Sequence, residues 1–233
     1  MANKGKYYES QFEKATIELL CEAHWQYAFG DDIHRKYTDP FIEEDLRNFL
    51  AAQYKDKNLT TSEMDSIVAN LRNTGGQNDY YALRNAFLLY RDGYDFAYSD
   101  GRYNPFRLEY IDFEHPDHNV FRCVNQFVME QGRENRRPDI LLFINGIPVC
   151  IIELKNPTKQ NATIRDAHTQ ICMRYMRDIP ALLKYCALAV ISDGAKNALG
   201  TTYTPFEFFY EWKKIENEDT AGTVSYTHLT LPT

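Results

Sequence analysis

Nowhere in these 233 residues is there a run of about 18 uncharged apolar residues, which excludes a membrane-spanning helix from the sequence. The opening MANKGKYYESQFEKA has no apolar core segment and is not read as a signal peptide. Cysteine is sparse. Cys21, Cys123, Cys150, Cys172 and Cys186 are scattered, odd in number and form no C-x-x-C pair, so reduced thiols in a cytoplasmic protein are expected. No G-x-x-x-x-G-K-[ST] phosphate loop occurs, nor any internal repeat or low-complexity tract. Positive charge is short as well. With 26 Lys+Arg against 33 Asp+Glu, the net charge of −7 is unfavourable for a domain that must find a polyanion unaided.

What is present is a substantial core. A hydrophobic fraction of 44% and an aromatic fraction of 14% support one large domain or two small ones. Helical patterns are expected over residues 8–28, over 40–54 with Asp39 as N-cap, over 60–75 with a Thr60/Glu63 capping box, and over 79–92 with Gly93 as stop. Strands are expected over 107–113, 120–130, 140–144, 149–152 and 185–191, with helices over 163–177 and 205–215. The closing VSYTHLTLPT has no period and is expected to be non-native or the edge of a truncation.

The charge is unevenly spread. Between Gln131 and Arg177 there are eight basic and four acidic residues, so that stretch is +4 and the remainder −11. Within it, Arg136-Arg137-Pro138-Asp139 and Glu153-Leu154-Lys155 flank ILLFINGIPVCII, which reads as a hairpin turning at Asn145-Gly146. Residues two apart in a strand share a face, so Glu153 and Lys155 point together while Leu154 points into the core. Asp139 and Glu153 would then converge at the mouth of an apolar sheet, where like charges are costly unless a cation lies between them. A strict two-residue loop pairs Asp139 with Ile152 and sends Glu153 to the opposite face. A three-residue loop or a bulge is therefore required, and Pro148 makes an irregularity plausible.

PD-(x13)-ExK is similar to the PD-(D/E)xK nuclease superfamily, and NRRPDILLFINGIPVCIIELKNP resembles the endonuclease domain of the R (restriction) subunit of type I restriction-modification enzymes. The resemblance runs from about Tyr8 to Asp219. It implies an α/β fold with a mixed central sheet flanked by helices, a nuclease core over about 105–215 and a helical elaboration over about 30–95. Residues 220–233 would be tail. It further implies Mg²⁺-dependent cleavage of double-stranded DNA (Mn²⁺ can substitute), with ATP used by motor domains of the intact enzyme and not by these residues. Methyltransferase and specificity subunits would be the partners.

By that resemblance Asp139, Glu153 and the Leu154 carbonyl would hold the metal, joined by Glu9 or Glu13, which sit four apart on one helix face. Lys155 would orient the attacking water or steady developing charge. In the family a glutamine and a tyrosine, usually four apart, follow on the next helix. Here Gln170 and Tyr175 are five apart, about 140° on a regular helix, so Gln170 is kept as a site residue and Tyr175 is read as core. Arg136, Arg137, Lys159 and Arg174 are candidates for phosphate contacts. His115 and His118, separated by a proline, are read as a polar loop rather than a zinc pair. Two rivals stand: another PD-(D/E)xK nuclease, and a catalytically silent docking module.

Overall fold

A computed structural model of the chain describes residues 3–155, 163–194 and 196–211, with side chains from residue 10 onward. Helix α1 (Asn3–Glu22) is shorter at its C-terminal end than its expected span. His24 turns the chain with φ of 68°, and β1 (Gln26–Phe29) comes next as an edge strand parallel to β4 (Phe121–Asn125). The aromatic-rich segment suits a pleated surface, and Trp25 packs edge-on to Phe121 with ring centroids 5.3 Å apart.

Helices α2 (Glu43–Gln53), α3 (Thr61–Arg72) and α4 (Asp79–Asp92) form the helical elaboration. Thr60 and Glu63 make the capping box on α3, and α4 stops at Gly93. Asp39 does not cap α2. Its carboxylate accepts from Phe41 N at 3.1 Å, and Ile42 is the N-cap, with its N–H given to the Gly146 carbonyl at 3.0 Å. Leu46, Leu50, Ile67, Leu71 and Ala86 close a core with Ile147 and Tyr185, which seats this layer on the main sheet.

The expected strand at 107–113 shrinks to β3 (Phe106–Leu108), paired with β2 (Tyr94–Phe96). Beyond it, Asp112 takes backbone N–H groups of Glu114 and His115 onto its carboxylate, which folds a loop instead. The expected strand at 120–130 breaks at Gln126, where φ is 55°. β5 (Met129–Gln131) then pairs with β6 (Glu134–Arg136) as a separate ribbon.

The central sheet has the order β1-β4-β7-β8-β9-β10-β11, with β7 (Ile140–Ile144), β8 (Ile147–Leu154), β9 (Leu188–Ser192), β10 (Asn197–Gly200) and β11 (Tyr210–Glu211). The β1–β4 and β8–β9 pairs are parallel and the others antiparallel, so the sheet is mixed as expected. On one face α1 lays Phe12, Ile17 and Leu20 over Ile140, Cys150, Ile152 and Leu154. The other face carries Leu141, Phe143, Ile151 and Ile191 under α5 (Ile164–Thr169), a π turn (Gln170–Tyr175), α6 (Met176–Asp178) and α7 (Pro180–Leu183). The aromatic helix expected from Pro205 is absent as far as the described residues run. Phe206–Phe208 is one 3-10 turn, and Tyr210–Glu211 joins β10. Phe209 is held extended, its ring against Gly200 so closely that a Cβ there would meet it at 2.7 Å.

Asn145 (φ 50°) and Gly146 (φ 75°) form a two-residue turn of the kind that matches hairpin twist. Ile144 faces Ile147, Phe143 faces Pro148, and Leu142 faces Cys150, which leaves Val149 as a bulge. Beyond the bulge Ile140 faces Ile152. The tight turn and the required irregularity are therefore both present. Asn145 is fully buried, donates to the Tyr110 carbonyl and Asn119 Oδ1, and accepts from Val120 N.

Candidate active site

The bulged register carries the alternation through to the strand ends. Ile140 and Ile152 lie on the α1 face, whereas Leu141 and Ile151 lie on the α5 face. Asp139 and Glu153, one step further out, therefore come opposite each other on the α5 face. Asp139 Oδ2 accepts from Leu154 N at 2.8 Å, which fixes the first carboxylate against the strand carrying the second. The Leu154 side chain is buried on the other face, and its carbonyl sits at the end of β8.

Glu153 is only 1% exposed. Its Oε1 accepts from Lys155 Nζ at 2.7 Å, while its Oε2 is buried with no hydrogen-bond partner among the described residues. Burial above all, then the negative charge of Asp139, push the Glu153 carboxyl up to about 8, and Lys155 opposes both. Lys155 also donates to Gln170 Oε1 at 2.8 Å, and Gln170 Nε2 donates to the Tyr175 hydroxyl at 2.7 Å. Burial holds that phenol protonated, and it lies close enough to Glu153 to favour the anion slightly.

Tyr175 thus belongs to the polar network as well as to the core. The spacing of five is absorbed by the π turn from Gln170 to Tyr175, in which residues five apart come to one side. The result is a continuous chain, Glu153–Lys155–Gln170–Tyr175, held between β8 and the helix that covers it.

The remaining candidates fall in different places. Glu13 accepts from Asn125 Nδ2 at 2.6 Å and from Gln126 Nε2 at 3.1 Å, and Gln126 N donates to the Asp139 carbonyl at 3.2 Å. Glu13 is therefore linked to the Asp139 segment through Gln126. The Glu9 side chain and Lys159 lie outside the described residues. Motif spacing does not single out Asn125 and Gln126, although two consecutive amides ending a strand are a visible signal. Arg136 is committed to protein partners: Asp178 at 2.7 Å, Glu134 at 2.6 Å and the Asn135 carbonyl at 2.9 Å. Arg137 and Arg174 are exposed.

A buried carboxylate oxygen without a partner, facing a second carboxylate, is a donor set suited to a hard divalent cation. Magnesium in particular takes one or two carboxylates and keeps its waters. The residues present fit such an ion.

Residues 6–208 match the family described as "Type I restriction enzyme R protein N terminus". The Haemophilus influenzae protein named type I restriction enzyme HindI endonuclease subunit is 27% identical over 227 residues, which covers 94% of this chain and 21% of that protein. A Methanocaldococcus jannaschii protein, provisionally named the MjaIXP endonuclease subunit of a type I restriction enzyme, is 30% identical over 215 residues, covering 89% of this chain and 20% of its own length. The Escherichia coli EcoprrI endonuclease subunit is 32% identical over 133 residues, 53% of this chain and 40% of that protein. The chain thus spans about one fifth of the length of the first two relatives.

Proposed function

The chain belongs to the type I restriction enzyme R protein N-terminal family, and from that premise we propose that it is the DNA-cleaving domain of such an enzyme, hydrolysing phosphodiester bonds of double-stranded DNA with Mg²⁺. The observation that carries the reading is the unpartnered, buried Glu153 Oε2 beside Asp139, with Lys155 held between Glu153 and Gln170. A docking surface has no use for two converging carboxylates, one of them fully buried, which cost stability in the absence of a cation.

Asp139, Glu153 and the Leu154 carbonyl would hold the ion, which when bound supplies charge neutralisation and an acidified water for attack at phosphorus. Asp139 is kept in place by the Leu154 N–H. Lys155 stands with its ammonium group fixed by two acceptors, ready to orient water or to steady the negative charge that grows on the phosphate oxygens. Gln170 and Tyr175 keep that ammonium from swinging away. Arg137, Lys159 and Arg174 are the candidates for backbone phosphate contact, while the net charge of −7 fits a domain to which DNA is delivered by other parts of an assembly. Those parts would be ATP-driven motor domains and the methyltransferase and specificity subunits, acting together in the cytoplasm. Among the described residues no helix is long and apolar enough to cross a membrane.

The test is a reconstituted assembly built on the full-length R subunit, assayed in parallel for DNA ends and for phosphate release. Glu153→Ala and Lys155→Ala are expected to lower cleavage by more than about 10³-fold while leaving ATP hydrolysis nearly intact. Mutants that still cut would remove the catalytic assignment. Loss of both activities in folded protein would favour the docking role.

A further inference from the structure

At the far end of the hairpin, the loop after β3 gathers a second set of ligating side chains that the cleavage chemistry does not use. Asp112, His115 and His118 each offer one ligand atom, and these atoms all lie within 4.8 Å of one another. Asp112 Oδ2 is 3.0 Å from His118 Nδ1 and 3.7 Å from His115 Nδ1. Zinc bonds near 2.0–2.1 Å in a tetrahedral shell place neighbouring ligand atoms roughly 3.3 Å apart, so the two distances straddle that value. The two imidazoles are stacked with centroids 5.0 Å apart and planes 16° from parallel, and both turn Nδ1 toward one carboxylate oxygen.

The proline in His-Pro-Asp-His, which argues against a regular helix, instead starts a 3-10 turn over Pro116–His118 that brings the two rings to one side. The carboxylate is built in beforehand. Asp112 is 4% exposed, its Oδ1 accepts from Glu114 N and His115 N, and Gln53 of α2 donates to its Oδ2 at 3.0 Å. Asn119 closes the loop by exchanging hydrogen bonds with the Asp112 backbone at 2.9 and 2.7 Å. Only the histidines, both half exposed, need to rotate to complete a site.

We propose that Asp112, His115 and His118 bind a borderline divalent metal of the zinc class, with the remaining coordination position open to water or to a donor from a partner. Two imidazoles and one carboxylate favour zinc, and its neighbours among the later first-row ions, over magnesium. The site is separate from the Asp139–Glu153 pair, since the length of β7, about 16 Å at 3.3 Å per residue, lies between the two ends of the hairpin. On binding, the proton shared between His118 Nδ1 and Asp112 leaves that nitrogen for the other ring nitrogen or for solvent. The bound metal then pins the loop that connects β3 to β4.

Zn²⁺ titrated into the metal-free full chain, in competition with a chromogenic chelator, tests this. Parent and Asp139→Ala are expected to share one tight equivalent of equal affinity, with any zinc taken up by the carboxylate pair appearing in the parent alone as a second, weaker step. His118→Ala and His115→Ala should each weaken binding at least tenfold, and the double variant should abolish it while keeping its far-ultraviolet circular dichroism. Co²⁺ in place of zinc should give visible d–d bands without a thiolate charge-transfer band. Equal binding by parent and double variant, a thiolate band, or loss of the site in Asp139→Ala would each overturn the assignment. The last outcome alone would point to the carboxylate pair and so would leave the cleavage reading standing.

Discussion

Replacing Glu153 by glutamine isolates the electrostatic cost built into the site. In the folded chain the Glu153 carboxyl is pushed from an ordinary 4.5 to about 8, chiefly by burial. A carboxyl raised in this way binds a proton in the folded state that the unfolded chain has already lost. Stability is therefore greatest below about pH 4.5 as far as this group is concerned, and falls as pH rises toward 8. At about 1.36 kcal/mol for each pH unit between the two values, the loss across that window is about 4–5 kcal/mol. Glutamine keeps the shape and an acceptor for Lys155 but carries no proton to lose. Urea denaturation of metal-free parent and Glu153→Gln at pH 5, 6.5 and 8 should give a stability difference that moves in favour of the variant by several kcal/mol. Contributions that do not depend on pH cancel in the comparison across pH, and the Lys155 contact, which strengthens as Glu153 ionises, is already contained in the raised value. Parallel pH profiles would refute the buried-proton argument. If magnesium binds here, it must displace this proton near neutral pH, so its binding enthalpy should vary with the ionisation heat of the buffer.

Three further outcomes rest on the packing. Gly146→Ala forces φ of 75° on an alanine and places its Cβ 2.1 Å from the Ile42 carbonyl oxygen, so thermal and urea melts should show a loss of at least about 2 kcal/mol; an unchanged melt would refute the close approach of α2. Arg136→Ala removes one of two arginine partners of the buried Asp178 and should cost about 1–3 kcal/mol, whereas Arg137→Ala should leave the melt unchanged and weaken DNA retention by the assembled enzyme. Tyr175→Phe strips Gln170 Nε2 of its acceptor; it should cost about 1–2 kcal/mol and reduce cleavage in the reconstituted assembly, and an unaltered cleavage rate would separate Tyr175 from the site.

Where local chemistry dominates, the fold is written openly in the sequence. Thr60 and Glu63 cap α3, Asn145-Gly146 turns the hairpin, and the apolar runs on either side of it lie in the covered sheet. Asp139 and Glu153 could be placed because side-chain alternation is rigid over short strands. Where two patterns compete, the sequence misleads. The run from Tyr8 to Ala28 satisfies helical period well enough to hide the edge strand QYAF, whose conformation is decided by pairing with Phe121–Asn125 nearly a hundred residues away. Asp39-Pro40 has the form of a helix start, yet the Gly146 carbonyl sets where α2 begins. The π turn was legible in principle. Ala167, Ile171, Tyr175 and Ile179 are all buried and recur every four residues, a spacing that drifts by about 40° per step on a regular helix.

Val149 in the bulge and the extra residue of the π turn are each a single surplus position, and each sets the phase of the residues beyond it. Were the same residues held in a regular hairpin, Glu153 would face α1; on a regular helix Tyr175 would stand about 140° from Gln170. Length therefore matters more than identity in these two segments. Deleting Val149, or one residue between Gln170 and Tyr175, should leave a regular hairpin or a regular helix with the site still assembled, whereas adding one residue to either interval should dismantle it even if every named side chain survives. A chain one residue shorter in either interval can keep the site by lacking the bulge or the π turn, so interval length read together with these irregularities, rather than the site letters alone, tests whether such a chain can assemble it.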